Sequence, residues 1–205
     1  MPCRQTPKMQ ARKLARRRSF IQAATRLFGK RGYHATTVPD IVAAAGGSTG
    51  SFYLHFRNKE DVFAAALEDL NARLNAVFER ARVAATGPLE QIRNAVIALF
   101  VFLARRPREA RLLVVESSGL SPALEAVRRR LLAAHVEKVR SIIEGHPECF
   151  SSADAVVAAR CLVGAVFENV YAWLETPRAR RAPPLQLAAA VAEYNLRALC
   201  WPPSK

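Results

Sequence analysis

Apolar residues in this chain recur at three- and four-residue spacing and almost never alternate. Ile21, Ala24, Leu27 and Phe28 set the pattern, and it returns throughout the sequence. Such spacing lines one face of a helix, whereas a half-buried strand needs period two. The chain is therefore expected to be all-α. With 205 residues, 51% of them apolar, it has material for one large domain or two small ones.

Breakers and capping residues divide it. A first helix is expected over 12–30, with Arg12, Lys13, Arg16 and Arg17 on its outer face and Gly32 stopping it. Thr37, with Asp40 three residues on and Pro39 in the first turn, starts a short second helix that reaches Ala45. Gly46 and Gly47 end it. Ser48 caps a third helix over 49–55, and Asn58 with Asp61 caps a long fourth one to about Ala84. Further helices are expected near 89–105, 108–117, 123–144, 153–175 and 184–199. This divides the chain into a flexible basic arm (1–11), a three-helix domain (12–57) and a larger helical body (58–205).

Charge separates the same parts. The chain carries +14, and residues 1–60 hold +10 of it, twelve Lys or Arg against only Asp40 and Glu60. A basic head on a nearly neutral body attracts a polyanion at one end. The basic start is not followed by an apolar core, so neither a signal peptide nor a membrane anchor is expected. No apolar run is expected to reach the roughly 18 residues of a spanning helix. Cys3, Cys149, Cys161 and Cys200 form no C-x-x-C pair and read as small apolar side chains in a reducing compartment. The expected location is the cytoplasm, with no membrane partner, no metal and no cofactor.

The stretch "GGSTGSFYLHFRNKE", from Gly46 to Glu60, raises a choice between a phosphate cradle and a turn between helices. A nucleotide loop needs other glycine spacings, following a buried strand. Here the glycines stand at relative positions 1, 2 and 5, no Lys-Ser/Thr follows the last, and a helix precedes them. Two short helices joined by a glycine turn, the second opening at a capping serine, form instead a helix-turn-helix, whose second helix lies in the DNA major groove.

Residues 18–67, with A-x-x-L-F, G-Y-x-x-T-T-V-x-D-I, A-G-x-S-x-G-x-x-Y-x-H-F and K-E in order, resemble the N-terminal DNA-binding domain of the TetR family of transcriptional regulators. The resemblance implies that Ser48 caps the recognition helix and that Thr49, Gly50 and Ser51 face base edges. Tyr53 and His55 would reach bases or phosphate, and Thr37 and Lys59 would grip phosphates. These groups are donors suited to phosphate oxygens. Phe52 and Phe56 would turn inward. The Arg16–Arg18 cluster is either a solvated face or a phosphate contact, with Arg16 and Arg17 the candidates, and Arg4 and Lys8 belong to the arm. Two residues depart from the family pattern: Gly47 replaces a valine that plugs the turn, which implies a looser turn, and Leu54 replaces a polar residue.

One recognition helix reads few bases, so a two-fold dimer on a palindrome is expected. Helix 153–175 is apolar around most of its circumference, and the resemblance implies that it and 184–199 form the dimer bundle; Ala159, Leu162, Val166, Val170, Val191 and Tyr194 are the candidate interface. The resemblance further implies that the middle helices hold a small-molecule effector. Phe100, Leu103, Leu112, Phe167 and Trp173, with Leu99, Phe102, Val115 and Leu132, are candidate walls. Glu116, His135 and Asn169, with Arg111 and Glu168, are candidate polar anchors. The same residues also fit ordinary core and surface pairs. The expected function is a repressor released by an apolar or amphipathic effector such as an acyl-CoA. The alternative is a nonspecific or architectural nucleic-acid binder without an effector. Ser117, Ser118 and His135 stand isolated, so no catalytic set and no enzyme are expected.

Overall fold

A computed structural model describes residues 6–151 and 154–200, and among them there are helices and no strands. The elements are α1 (Pro7–Arg31), α2 (Val38–Ala44), α3 (Thr49–Tyr53), α4 (Lys59–Val83), α5 (Pro88–Ala104), α6 (Pro107–Ala110), α7 (Pro122–Glu144), α8 (Ala155–Glu175) and α9 (Pro184–Leu199). A π-helical turn, Arg111–Val115, follows α6, and a 3₁₀ turn, Arg178–Arg180, precedes α9.

Most starts fall where capping residues put them. Thr37 accepts the Asp40 N–H while the Asp40 carboxylate accepts the Thr37 N–H, a reciprocal cap. Ser48 accepts from Ser51 and Asn58 from Asp61. One start differs. α1 begins at Pro7, not residue 12, because Thr6 accepts the Met9 N–H and Pro7 suits a first helical position. Lys8, expected in a flexible arm, is thus helical, while Arg4 and Cys3 lie outside the described residues.

The expected helix at 108–117 is also broken differently. After α6 the backbone widens, with Glu116 N–H bonding the Arg111 carbonyl five residues back at 2.8 Å. This turn divides its side chains between two cores. Leu112 enters the core made by Phe20, Phe28, Ile41, Phe52, Phe56 and Phe63, whereas Val114 enters that of the body. Helix α4 joins the cores as well: Val62, Leu67 and Leu70 belong to the first and Leu74 to the second. The first core therefore continues past the expected boundary at 57. Gly29 of α1 meets the backbone of Arg108 in α6 so closely that a Cβ would collide with the Arg108 carbonyl.

In the body, α5 packs on α4 and α9, and α7 on α8. By length and composition α8 is apolar enough to cross a membrane, although Arg160 and Glu168 interrupt its apolar run. Its inner face, Leu162, Val163, Val166, Val170 and Leu174, is buried in the body core, while Val157, Cys161, Gly164, Glu168 and Tyr171 remain outside.

Candidate nucleic-acid interface

The turn between α2 and α3 is built from three directions. Gly46 adopts φ +60°, which a side chain disfavours, and the Gly47 N–H bonds the Val42 carbonyl at 3.1 Å. The Arg16 guanidinium donates to the Gly46 carbonyl at 3.1 Å and to Ala45 at 3.4 Å. The Phe20 ring, wholly buried, fills the space beside Gly47: a Cβ there would lie 2.8 Å from Phe20 Cζ. Phe20 also meets Phe52 edge-on at 5.5 Å and Phe56 at 6.5 Å. The looser turn implied by the missing valine is thus not found, because an aromatic ring from α1 plugs it.

This frame presents one face of α3 outward. Thr49 and Gly50 are exposed, Tyr53 is 54% exposed and Leu54 77%, whereas Ser51 is half-buried and Phe52 and Phe56 turn inward as expected. Nothing lies within 4 Å of where a Gly50 Cβ would stand, so packing does not demand glycine here. Its slimness matters only to something approaching from outside. Thr37 is exposed at its cap.

His55 sits half-buried against Phe20 and Phe56. Burial first, then the cations Lys13, Arg17 and Arg16, lower its pKa, favouring a neutral imidazole. Lys59 has an internal partner. Its Nζ donates to the Tyr33 carbonyl at 3.0 Å and lies 4.1 Å from the Tyr33 ring centroid. Arg17 stacks over Phe56 at 5.1 Å. Arg12, Lys13 and Arg16 with Ser19, Leu54 and His55 line an open groove of about 680 Å³ between α1 and the end of α3. Of this groove, Arg12 and Lys13 are not among the site residues expected from the sequence, although each lies one helical turn before Arg16 or Arg17 on an exposed helix, which is a usable signal.

The body contains two cavities that meet. One, of about 340 Å³, is walled by Phe78, Ile92, Val96, Leu99, Leu162 and Val166, with Arg82, Lys138 and Ser141 also on its lining. The other, of about 500 Å³, has Asn71, Leu113, Ser117, Ser118, Arg128, Leu132, Glu168 and Tyr171 on its walls. His135, Val163 and Phe167 line both. His135 Nε2 lies 2.9 Å from Asn71 Oδ1, and burial, with Lys138 nearby, depresses its pKa to about 4.

Several expected pocket residues lie elsewhere. Phe100 and Leu103 are fully packed in the body core, and Leu112 is in the first core. Glu116 accepts the Tyr33 N–H at 3.4 Å and an Arg111 N–H at 3.5 Å, which places it between head and body. Asn169 donates to the Ala165 carbonyl at 2.8 Å, and Trp173 donates to Ala182 at 2.9 Å, with Arg181 over its ring. Arg111 also pairs with Glu175, Phe102 lies beneath Arg106, and Val115 packs on the body core.

The expected interface needs the same correction. Ala159, Leu162, Val166, Val170 and Val191 are buried within the protomer, and only Tyr194, 71% exposed, is free to meet a partner. Apolar residues cover most of α8, and the signal for its outer face is the stripe of Arg160, Glu168 and Glu175, which are exposed. Val157, Cys161 and Gly164 on α8 and Leu185, Ala189 and Tyr194 on α9 lie outside.

Residues 20–66 match the family described as bacterial regulatory proteins, tetR family. The chain is 33% identical over 118 residues to the HTH-type transcriptional repressor KstR2 of Mycolicibacterium smegmatis, covering 57% of this chain and 58% of that protein. It is 31% identical over 129 residues to the HTH-type transcriptional regulator HbdR of Aromatoleum sp., covering 63% and 55%. The matches thus span little more than half the length of these relatives. The fatty acid degradation regulator FadR of Bacillus halodurans has the same fold, with TM-score 0.80 at 24% identity over 90% of this chain and 96% of that one. FadR of Bacillus subtilis, solved with stearoyl-CoA, gives 0.78 at 21% identity over 87% and 97%. Residues 20–66 thus carry the N-terminal domain of the tetR family of bacterial regulatory proteins, and the chain shares its fold with these solved structures.

Proposed function

We propose that this protein is a transcriptional repressor that binds a palindromic operator as a homodimer in the cytoplasm and is released by an amphipathic effector. The observation that carries the first part is the α3 face. Thr49, Gly50 and Tyr53 stand exposed on a turn braced by Phe20 and Arg16, beside a groove bearing Arg12 and Lys13. Side-chain hydroxyls reach base edges and phosphates, and the cations hold the backbone. Regulators, not enzymes, are the relatives this chain matches.

The joined cavities support the effector. An apolar limb fits the one walled by Phe78, Ile92 and Leu99, and Arg82, Lys138 and Arg128 on the cavity linings suit an anionic head. An acyl thioester, of the kind bound to Bacillus subtilis FadR, combines the two. An effector that prefers the DNA-incompetent state weakens DNA binding by the same coupling free energy.

The test is binding to palindromes enriched from random DNA, against scrambled sequences of equal length. A specific-to-nonspecific ratio of roughly 10³ or more is expected. A ratio near one overturns the repressor reading in favour of an architectural binder.

A further inference from the structure

The connection between α7 and α8 runs beside the last turn of α9. Ser151 donates its N–H to the Leu199 carbonyl at 3.1 Å, and the Cys200 sulfur lies 3.4 Å from the Cys149 carbonyl oxygen. Two cysteines 51 positions apart thus come together at one point of the fold. Cys200 is exposed and Cys149 half-buried. The Cys149 thiol faces Glu148 Oε1 at 3.6 Å, and the same oxygen is 3.3 Å from His146 Nδ1. Among the described residues no His, Cys, Asp and Glu group could hold a metal ion, so the cluster is not a metal site.

We propose that Cys149 and Cys200 form a reversible disulfide, a peroxide-responsive clip that fastens the end of α9 to the α7–α8 connection. The exposed Cys200 meets hydrogen peroxide first. Its sulfur takes one oxygen, the O–O bond breaks, and a sulfenic acid and one water result. The Cys149 sulfur then attacks the sulfenic sulfur; the S–S bond forms, the S–O bond breaks, and the departing hydroxide takes the proton released from Cys149 by way of Glu148. In total, two thiols and one peroxide give one disulfide and two waters, the thiols losing the two electrons that the peroxide gains.

Burial and the Glu148 carboxylate raise the Cys149 thiol pKa, and burial raises that of Cys200. Both therefore rest as thiols at neutral pH, and each must lose its proton before its sulfur reacts. The clip closes the loop that contains α8 and α9, which restricts the unfolded chain and stabilises the folded one. It stands independently of the DNA-binding reading.

Full-length protein is treated with hydrogen peroxide, its remaining thiols are alkylated, and it is mapped by non-reducing peptide mass spectrometry. The expected result is a Cys149–Cys200 linked peptide that dithiothreitol dissolves and that C149S and C200S both lack. Oxidation should raise the Tm of the wild type and leave that of C200S unchanged. The proposal is overturned if Cys200 proceeds to sulfinic or sulfonic acid without linkage, or if Cys161 or Cys3 links in preference.

Discussion

The Phe20 ring occupies the volume that a side chain at Gly47 would need, leaving 2.8 Å between its Cζ and a Cβ placed there. The two residues are a matched pair: a large ring on α1 and no side chain in the turn. Gly47→Val should overpack the turn and cost about 1–3 kcal/mol, and Phe20→Ala should cost about 3–5 kcal/mol by leaving a cavity. Phe20→Leu combined with Gly47→Val should lose less than the sum of its parts. Urea denaturation of the four proteins in this cycle checks the pairing, and simple additivity would count against it.

Tyr53 and Lys59 should behave differently from one another. Tyr53 is exposed and has no structural duty for its hydroxyl, so Tyr53→Phe should leave the Tm unchanged and weaken operator binding by about 1 kcal/mol. Lys59 holds the Tyr33 carbonyl, so Lys59→Ala should lower stability by roughly 1–2 kcal/mol in addition to any loss of DNA affinity. Thermal melts beside fluorescence-anisotropy titrations separate the two effects.

Glu116 connects a cavity wall to the head. Its neighbours Ser117 and Leu113 line the larger cavity, while its own carboxylate accepts the Tyr33 N–H. Glu116→Ala should expose that amide and speed its hydrogen exchange. It should also reduce the loss of operator affinity produced by stearoyl-CoA, used as probe, relative to the wild type. Unchanged exchange at Tyr33 would show that the contact carries no protection.

Acid should destabilise the body through His135. Its folded pKa is about 4, against 6.5 for an unperturbed histidine. Between these values the unfolded chain binds a proton that the folded one refuses, so stability falls as pH drops from 6.5 to about 4 and this group adds nothing further below that. The full shift corresponds to roughly 3 kcal/mol. Carboxylates such as Asp61, whose pKa is lowered by Arg57, contribute in acid as well. The checking measurement is therefore the difference in pH slope between the wild type and His135→Leu, which should lose this part of the dependence.

Charge placed on the outer faces of α8 and α9 should separate the subunits of the proposed dimer without unfolding them. Gly164→Glu and Tyr194→Glu are expected to shift sedimentation from dimer to monomer while helicity is kept. Leu162→Ala, in the protomer core, should instead lower the Tm, at a cost of about 2–5 kcal/mol.

Local chemistry made much of this protein legible from its residues alone. Capping at Thr37, Ser48 and Asn58, the three-to-four spacing and the crowding of cations into the first sixty positions all act within a few residues of one another. They determined the helices, the helix-turn-helix and the basic head. Tertiary structure decided what joins distant positions: Phe20 against Gly47, Lys59 on Tyr33, Glu116 on Tyr33 and His135 on Asn71. It also decided which apolar residues of α8 enter the core, since apolar side chains cover most of the helix beside the exposed Arg160, Glu168 and Glu175, and the position of its neighbours selects among them.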